Sequence, residues 1–151
     1  MPEHSPESDK FINEGIIFNG KVEVLLVRRA KEEIGEGGAV LRWAFPGGRQ
    51  RFKESRVECV RRHILARTGY DVKVVRQISL RVHPQFMVLI AYHLCELVSP
   101  KPIAPPADPG EVAEIKWVSV KEVFDLFTTD LDPDVRRVLE SSEKKNHKVA
   151  G

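Results

Sequence analysis

Hydrophobic and polar positions along the chain alternate between two periods. Ile12 to Phe18 (INEGIIF) and Val22 to Arg29 (VEVLLVRR) are aliphatic runs flanking Asn19-Gly20, a dipeptide suited to a tight hairpin turn. KEEIGEGGAVLR is polar and glycine-rich and reads as a loop, and Trp43-Ala44-Phe45 as a short strand stopped by Pro46 and the glycine pair. From Ser55 the period changes. Ser55 and Glu58 have the spacing of a capping box, Val57, Val60, Ile64 and Leu65 recur at helical intervals, and Gly69 closes the segment. VKVVRQISL and FMVLIAYHLCEL predict strands, the second apolar enough to be central. SPKPIAPPADPG is a proline-rich loop and IKWVSV a further strand. Ser119 with Glu122 opens a second helix, and Asp132 with Pro133 a third. Strands interleaved with helices predict an α/β fold with a mixed sheet covered by helices.

Length and ends refine this reading. The 151 residues are enough for one domain with one sizeable core. Residues 1–10, polar and rich in proline and serine, read as a disordered lead, 11–142 as the domain, and 143–151 as a flexible tail. The lead lacks the apolar stretch of a signal peptide, and no apolar run has the length of a membrane span. Two cysteines, Cys59 and Cys95, are too few for a disulfide framework, so a cytoplasmic setting is expected. The 24 basic and 22 acidic side chains leave a net charge of +2, which gives no bulk attraction for nucleic acid. Locally the balance differs. Arg49, Arg51, Arg56, Arg61, Arg62 and Arg67 fall within nineteen residues. With only Phe52 interleaved as an aromatic, that run lacks the stacking platform of a nucleic-acid binder.

The segment WAFPGGRQRFKESRVECVRRHILARTGY carries the chemistry. It resembles the Nudix box, G-x5-E-x7-R-E-U-x-E-E-x-G-U, with Gly48, Glu54, Arg62 and Gly69 at the required intervals. Trp43, Pro46-Gly47-Gly48 and the KWVSVKEV ending are similar to MutT-like members, so the resemblance covers about residues 12 to 140. It implies an α/β/α Nudix sandwich and a phosphate-handling site. A glycine turn admits a diphosphate close to the backbone. Positions 63, 66 and 67 share one helix face. In the family those positions are glutamates that bind magnesium; here they are His63, Ala66 and Arg67. Such a face repels Mg²⁺ and attracts phosphate.

The resemblance further implies roles for single residues. Glu54 pairs with Arg62 or ligates a metal. Arg49, Arg62, Arg67, Gly48 and His63 contact phosphate. Glu111, six residues before Trp117, is a loop metal ligand or base, with Glu114 as its neighbouring alternative. The carbonyl of Gly47, Glu54 and Glu111 are what remains to hold one weakly bound Mg²⁺. Each also has a plainer reading, as a surface arginine, a helix cap or a solvated loop acid. Glu58 is accounted for by its cap. Cys59 with His63 is either a soft-metal pair or packing, and His83 is a base, a stacking residue or neither. Phe18, Phe86 and Tyr92 read as core.

The chain is also similar to GDP-mannose mannosyl hydrolases in Pro46 to Arg49, Glu54, Arg62 and Ala66, but the helix glutamate they retain is Arg67 and their loop histidine falls at Val112. Two functions follow from the resemblance. One is a hydrolase acting on a nucleoside diphosphate linked to another moiety, such as a nucleotide sugar. The other is a catalytically silent domain that binds a nucleotide or phosphorylated ligand. Homodimers are common in the family, and no exposed stripe in the sequence argues for one.

Overall fold

The computed structural model describes residues 7–108 and 110–150, with side chains described as far as Lys145. In chain order the elements are β1 (Glu7–Phe18), β2 (Val24–Ile34), β3 (Val40–Ala44), β4 (Gly47–Arg51), α1 (Arg56–Thr68), β5 (Val72–Val82), β6 (Leu89–Leu97), β7 (Val112–Val118), α2 (Val120–Leu126) and α3 (Pro133–Ala150). The seven strands form one mixed sheet in the order β3-β2-β1-β6-β5, with β4 paired to β1 and β7 to β2. β1 runs parallel to β6 and antiparallel to β4. The expected mixed α/β architecture is present.

Strand alternation explains why helices cover both faces. Ile16, Val24, Leu26, Ile90 and Tyr92 join Val123, Val135 and Leu139 of α2 and α3 in one cluster. Their sequence neighbours Ile17 and Leu25 turn the other way and meet Val60 and Ile64 of α1. A period of two in the strands therefore feeds two cores on opposite faces. α1 approaches closely because position 15 is glycine: a Cβ there would lie 2.6 Å from Ile64 Cδ1. All three helix starts follow the predicted chemistry. Ser55 and Ser119 each form a reciprocal capping box, with Glu58 and Glu122, and Asp132 accepts from the Asp134 N–H at 3.2 Å.

The structure departs from the sequence pattern in several places. The Asn19-Gly20 turn is longer than a two-residue hairpin, because Asn19 Oδ1 accepts from both the Lys21 and Glu23 N–H groups at 2.9 Å and Val22 takes φ 57°. Residues 31–34, expected within a loop, extend β2, and Gly47–Arg51 form β4 where only a turn was expected. The buried stripe of α1 is Cys59, Val60, His63 and Ile64, while Val57 and Leu65 are exposed, because the helix leans on β4 as well as β1. Finally, residues 7–10 of the expected disordered lead begin β1, held by pairing of Glu7 with Arg51. Residues 1–6 lie outside the described residues. α3 continues through 143–150, the stretch expected as a flexible tail.

Candidate functional site

The glycine turn is fixed by close contacts. A Cβ at Gly47 would sit 2.0 Å from the Asn13 carbonyl oxygen, and one at Gly48 2.4 Å from the His63 ring. Neither contact leaves room for a side chain. Beneath the turn a polar chain crosses the sheet. His93 Nε2 donates to Asn13 Oδ1 at 2.9 Å, Asn13 Nδ2 to Gln50 Oε1 at 2.8 Å, and Gln50 Nε2 to the Glu54 carbonyl at 2.7 Å. Asn13 and His93 are fully buried polar residues that the strand pattern did not flag.

Glu54 then locks the turn to α1. Arg62 donates from Nε to Oε2 at 2.6 Å and from Nη2 to Oε1 at 3.0 Å, and the Arg51 N–H adds a bond of 3.0 Å. Burial raises the Glu54 carboxyl, but these bonds outweigh it and hold it below its ordinary value. Both oxygens are thus engaged, and Glu54 is not among the residues lining the adjacent cavity. The geometry gives it the pairing role rather than that of a free metal ligand or catalyst.

His63 also serves the turn. Its Nε2–H donates to the Arg49 carbonyl at 2.8 Å and lies 3.2 Å from Glu7 Oε2. Burial holds it below its ordinary value against the pull of that carbonyl, with Arg62 and Arg67 lowering it further. The ring wedged under Gly48 acts as a strut, and it also lines the cavity described next. Cys59 packs beside it, its thiol 3.5 Å from the Gly48 carbonyl and pushed up to about 12 by burial and by Glu54. The thiol is a buried, packed group against the turn.

Beside the turn lies a cavity of about 540 Å³, lined among others by Glu14, Arg29, Gly47, Arg49, Arg67 and Glu111. Ile12, Phe45, Phe86, Ile90, Tyr92 and Phe127 supply an apolar side, with the Phe45 and Phe127 rings 4.9 Å apart. Phe86, expected in the core, instead lines this space and meets His83 edge-on at 5.1 Å. His83 accepts from the Gln85 N–H at Nδ1 (3.0 Å) and shapes its own turn. Burial and the charge of Arg81 hold it below its ordinary value.

The arginines on this wall differ in company. Arg62 also reaches Glu7 at 3.0 Å, and Arg49 meets Asp9 at 3.3 Å, so the start of β1 places two carboxylates on residues expected to hold phosphate. Arg67 makes no hydrogen bond or ion pair among the described residues, and its Nε is a buried donor without an acceptor. The loop over residues 99–110 brings the far rim to it: the Ala107 and Asp108 N–H groups donate to the Ala66 carbonyl and the Ile103 N–H to that of Gly69. Glu111 follows at the exposed rim, while Glu114 is turned away onto Arg28 at 3.3 Å.

Glu14 was missed by the sequence reading. It stands in β1 opposite Gly47, where alternation points it into the cavity. Burial pushes its carboxyl up to about 7, opposed by Arg29, Arg81 and Arg67. An acidic residue inside an otherwise aliphatic strand was the available signal.

The donor set does not suit a magnesium ion on the helix. Of the three face positions, one is a bonded histidine, one an alanine and one a guanidinium. The remaining set of Gly47, Glu54 and Glu111 loses Glu54 to Arg62. Among the described residues no three His, Cys, Asp or Glu side chains are grouped as metal ligands. No helix among them is long and apolar enough to cross a membrane.

Comparison with curated protein sequences gives no match. Residues 15–141 match the NUDIX domain. Solved structures share the fold. A Nudix hydrolase from Nitrosomonas europaea aligns with TM-score 0.68 at 18% identity, over 89% of this chain and 72% of that one. A MutT protein from Methanosarcina mazei Go1 gives 0.60 at 22%, over 91% and 94%. An ADP-ribose pyrophosphatase from Streptococcus suis 89-1591 gives 0.55 at 22%, over 83% and 79%.

Proposed function

Since the chain belongs to the Nudix domain family, we propose that it is a hydrolase of a nucleoside diphosphate linked to a second moiety, in which arginines carry the charge neutralisation. The observation that carries this reading is Arg67, a cation without a partner among the described residues, at a helix position facing the cavity. A guanidinium in a partly desolvated wall offers paired donors to phosphate oxygens and stabilises charge developing on them. The aromatic and aliphatic side supplies area for a base or sugar, and the cavity is of a size that holds a nucleotide-like molecule. The ADP-ribose pyrophosphatase among the structural neighbours is named for a substrate of this class. Glu111 at the rim is the acid free to orient water. The partial likeness to GDP-mannose mannosyl hydrolases supports the diphosphate ligand more than the mannosyl reaction, since Val112 cannot take a proton. Two buried free cysteines fit a reducing cytoplasm.

One observation favours a second reading, a silent binding domain: Glu54 is fully engaged, and the helix face carries no carboxylate. A single experiment separates the two. The protein is incubated with ADP-ribose, nucleotide sugars, dinucleotides and nucleoside triphosphates, with and without Mg²⁺ or Mn²⁺, and products are resolved by chromatography. Release of a nucleoside monophosphate, lost in Glu111→Gln and reduced roughly 100-fold in Arg67→Glu, is the expected result. Binding without turnover, weakened in Arg67→Glu, would establish the silent domain instead.

A further inference from the structure

We propose that the cavity floor beside the glycine turn is a sugar subsite, in which the Tyr92 hydroxyl and the Glu14 carboxyl read the hydroxyl groups of a ring adjoining the diphosphate. The inference rests on the diphosphate reading above and names a chemical feature its ligand must carry. Strand pairing sets four residues in one row across the sheet. Gly47 of β4 is the partner of Glu14 of β1, Glu14 of Tyr92 of β6, and Tyr92 of Ser79 of β5. Partners in register project to the same face, and neighbouring strands lie about 4.8 Å apart. Glu14 therefore stands one strand, and Tyr92 two strands, from the turn. Gly47, Glu14 and Tyr92 all line the cavity.

The row ends satisfied but is bare in the middle. Ser79 donates to Asp132 Oδ2 at 2.7 Å. The Tyr92 ring packs in the core and the residue is only 3% exposed, as its strand position predicts. Its hydroxyl, however, donates no hydrogen bond among the described residues, and the Glu14 carboxyl accepts none there. Arg81 approaches the Tyr92 hydroxyl, but a guanidinium only donates, so the phenolic hydrogen still lacks an acceptor. Neither group is sealed in protein, since the buried side-chain atoms without partners are Arg67 Nε, Arg81 Nε and His93 Nδ1. A donor and an acceptor side by side, both open to the cavity, are a hydrogen-bonding surface awaiting its complement.

The chemistry of that complement follows from the pair. A phosphoryl oxygen only accepts, so it suits Tyr92 and offers nothing to a carboxylate. The apolar edge of a ring suits neither. A hydroxyl both donates and accepts, and it serves Glu14 whether or not the acid carries a proton. A furanose or pyranose with vicinal hydroxyls meets both side chains at once. Its place also agrees with the rest of the cavity: the phosphates lie at the glycine turn and Arg67, and the aromatic side takes the remaining apolar part of the ligand. A ring stripped of its hydroxyls leaves both groups unpaired and is rejected for that reason. The ribose of the nucleoside and a sugar linked through the diphosphate carry the same chemistry, and the experiment tells them apart.

Calorimetry on the full chain, free of metal, compares ADP-ribose with two analogues. One lacks the vicinal hydroxyls of the adenosine ribose, the other those of the terminal ribose. The wild type is expected to bind one analogue about tenfold more weakly than ADP-ribose, and that analogue identifies the ring. Tyr92→Phe, which keeps the ring and its packing, is expected to lose about fivefold in affinity for ADP-ribose and nothing for the analogue already bound weakly. Its urea-unfolding midpoint is expected to match the wild type, which separates a ligand contact from a structural one. Glu14→Gln still offers both a donor and an acceptor and is expected to bind nearly as well as the wild type. Glu14→Leu, confirmed as folded by circular dichroism, is expected to bind about tenfold more weakly. Unchanged affinity in both Tyr92→Phe and Glu14→Leu, or an equal loss with all three ligands, would overturn the subsite while leaving the diphosphate reading intact. Failure of the wild type to bind ADP-ribose would overturn both.

Discussion

Two parts of the cavity wall present arginines on opposite terms. Midway along α1, Arg62 is bonded twice to Glu54 and again to Glu7, and Arg49 of β4 is matched by Asp9. At the last turn, Arg67 has neither hydrogen bond nor ion pair among the described residues. A guanidinium already held by carboxylates organises structure, whereas one left without acceptors is available to a ligand. Residue type alone does not distinguish them. The number of acids within reach does.

That contrast can be broken from the committed end first. Glu54→Ala removes the acceptor of a half-buried double bond and leaves Arg62 poorly matched, and it is expected to cost about 3 kcal/mol in urea unfolding. A loss below about 0.5 kcal/mol would mean that the pair does not hold the turn to the helix. His63→Ala removes the bond to the Arg49 carbonyl and the ring beneath Gly48, with an expected loss of about 2 kcal/mol. It also carries a pH signature. A histidine held below its ordinary value contributes stability that is present above the unfolded value and lost as pH falls through the folded one. Wild-type stability should therefore decline below about pH 6.5, and the variant's decline should be shallower. The smallest effect is expected from Glu7→Gln with Asp9→Asn, which removes exposed or half-exposed pairs from Arg49 and Arg62 and leaves Arg62 held by Glu54. ADP-ribose affinity should rise only a few-fold, measured by calorimetry. A rise as large as the loss caused by Arg67→Glu would show that both ends of the wall bind the ligand equally.

Much of this was legible before any coordinates. Ser55 and Glu58, Ser119 and Glu122, Asp132 and Pro133 each act through neighbours within three residues, and all three helices start as predicted. The Glu54–Arg62 pair was among the roles that the family resemblance implied. What stayed hidden depends on partners far away in sequence. His63 became a strut because β4 lies over α1, and β4 itself was unexpected because two adjacent glycines resemble a turn until Asn13 is seen to pair with Gly48. Glu7 acquired a role only when β1 was found to begin there, since a polar lead carries no apolar alternation to announce a strand. Glu14 looked like an interruption in an aliphatic run. Its meaning required knowing that three arginines from β2, α1 and β5 converge on it.

The course of β1 also bears on how the protein is handled at the bench. Because Glu7 and Asp9 touch Arg62 and Arg49 at the edge of the cavity, anything fused shortly ahead of Glu7 is tethered within a few residues of the opening. A polyhistidine or acidic tag at that end would bring its own charges to the arginines under assay. Affinities measured with such a fusion in place would report the tag together with the pocket, so removing it belongs before the first titration.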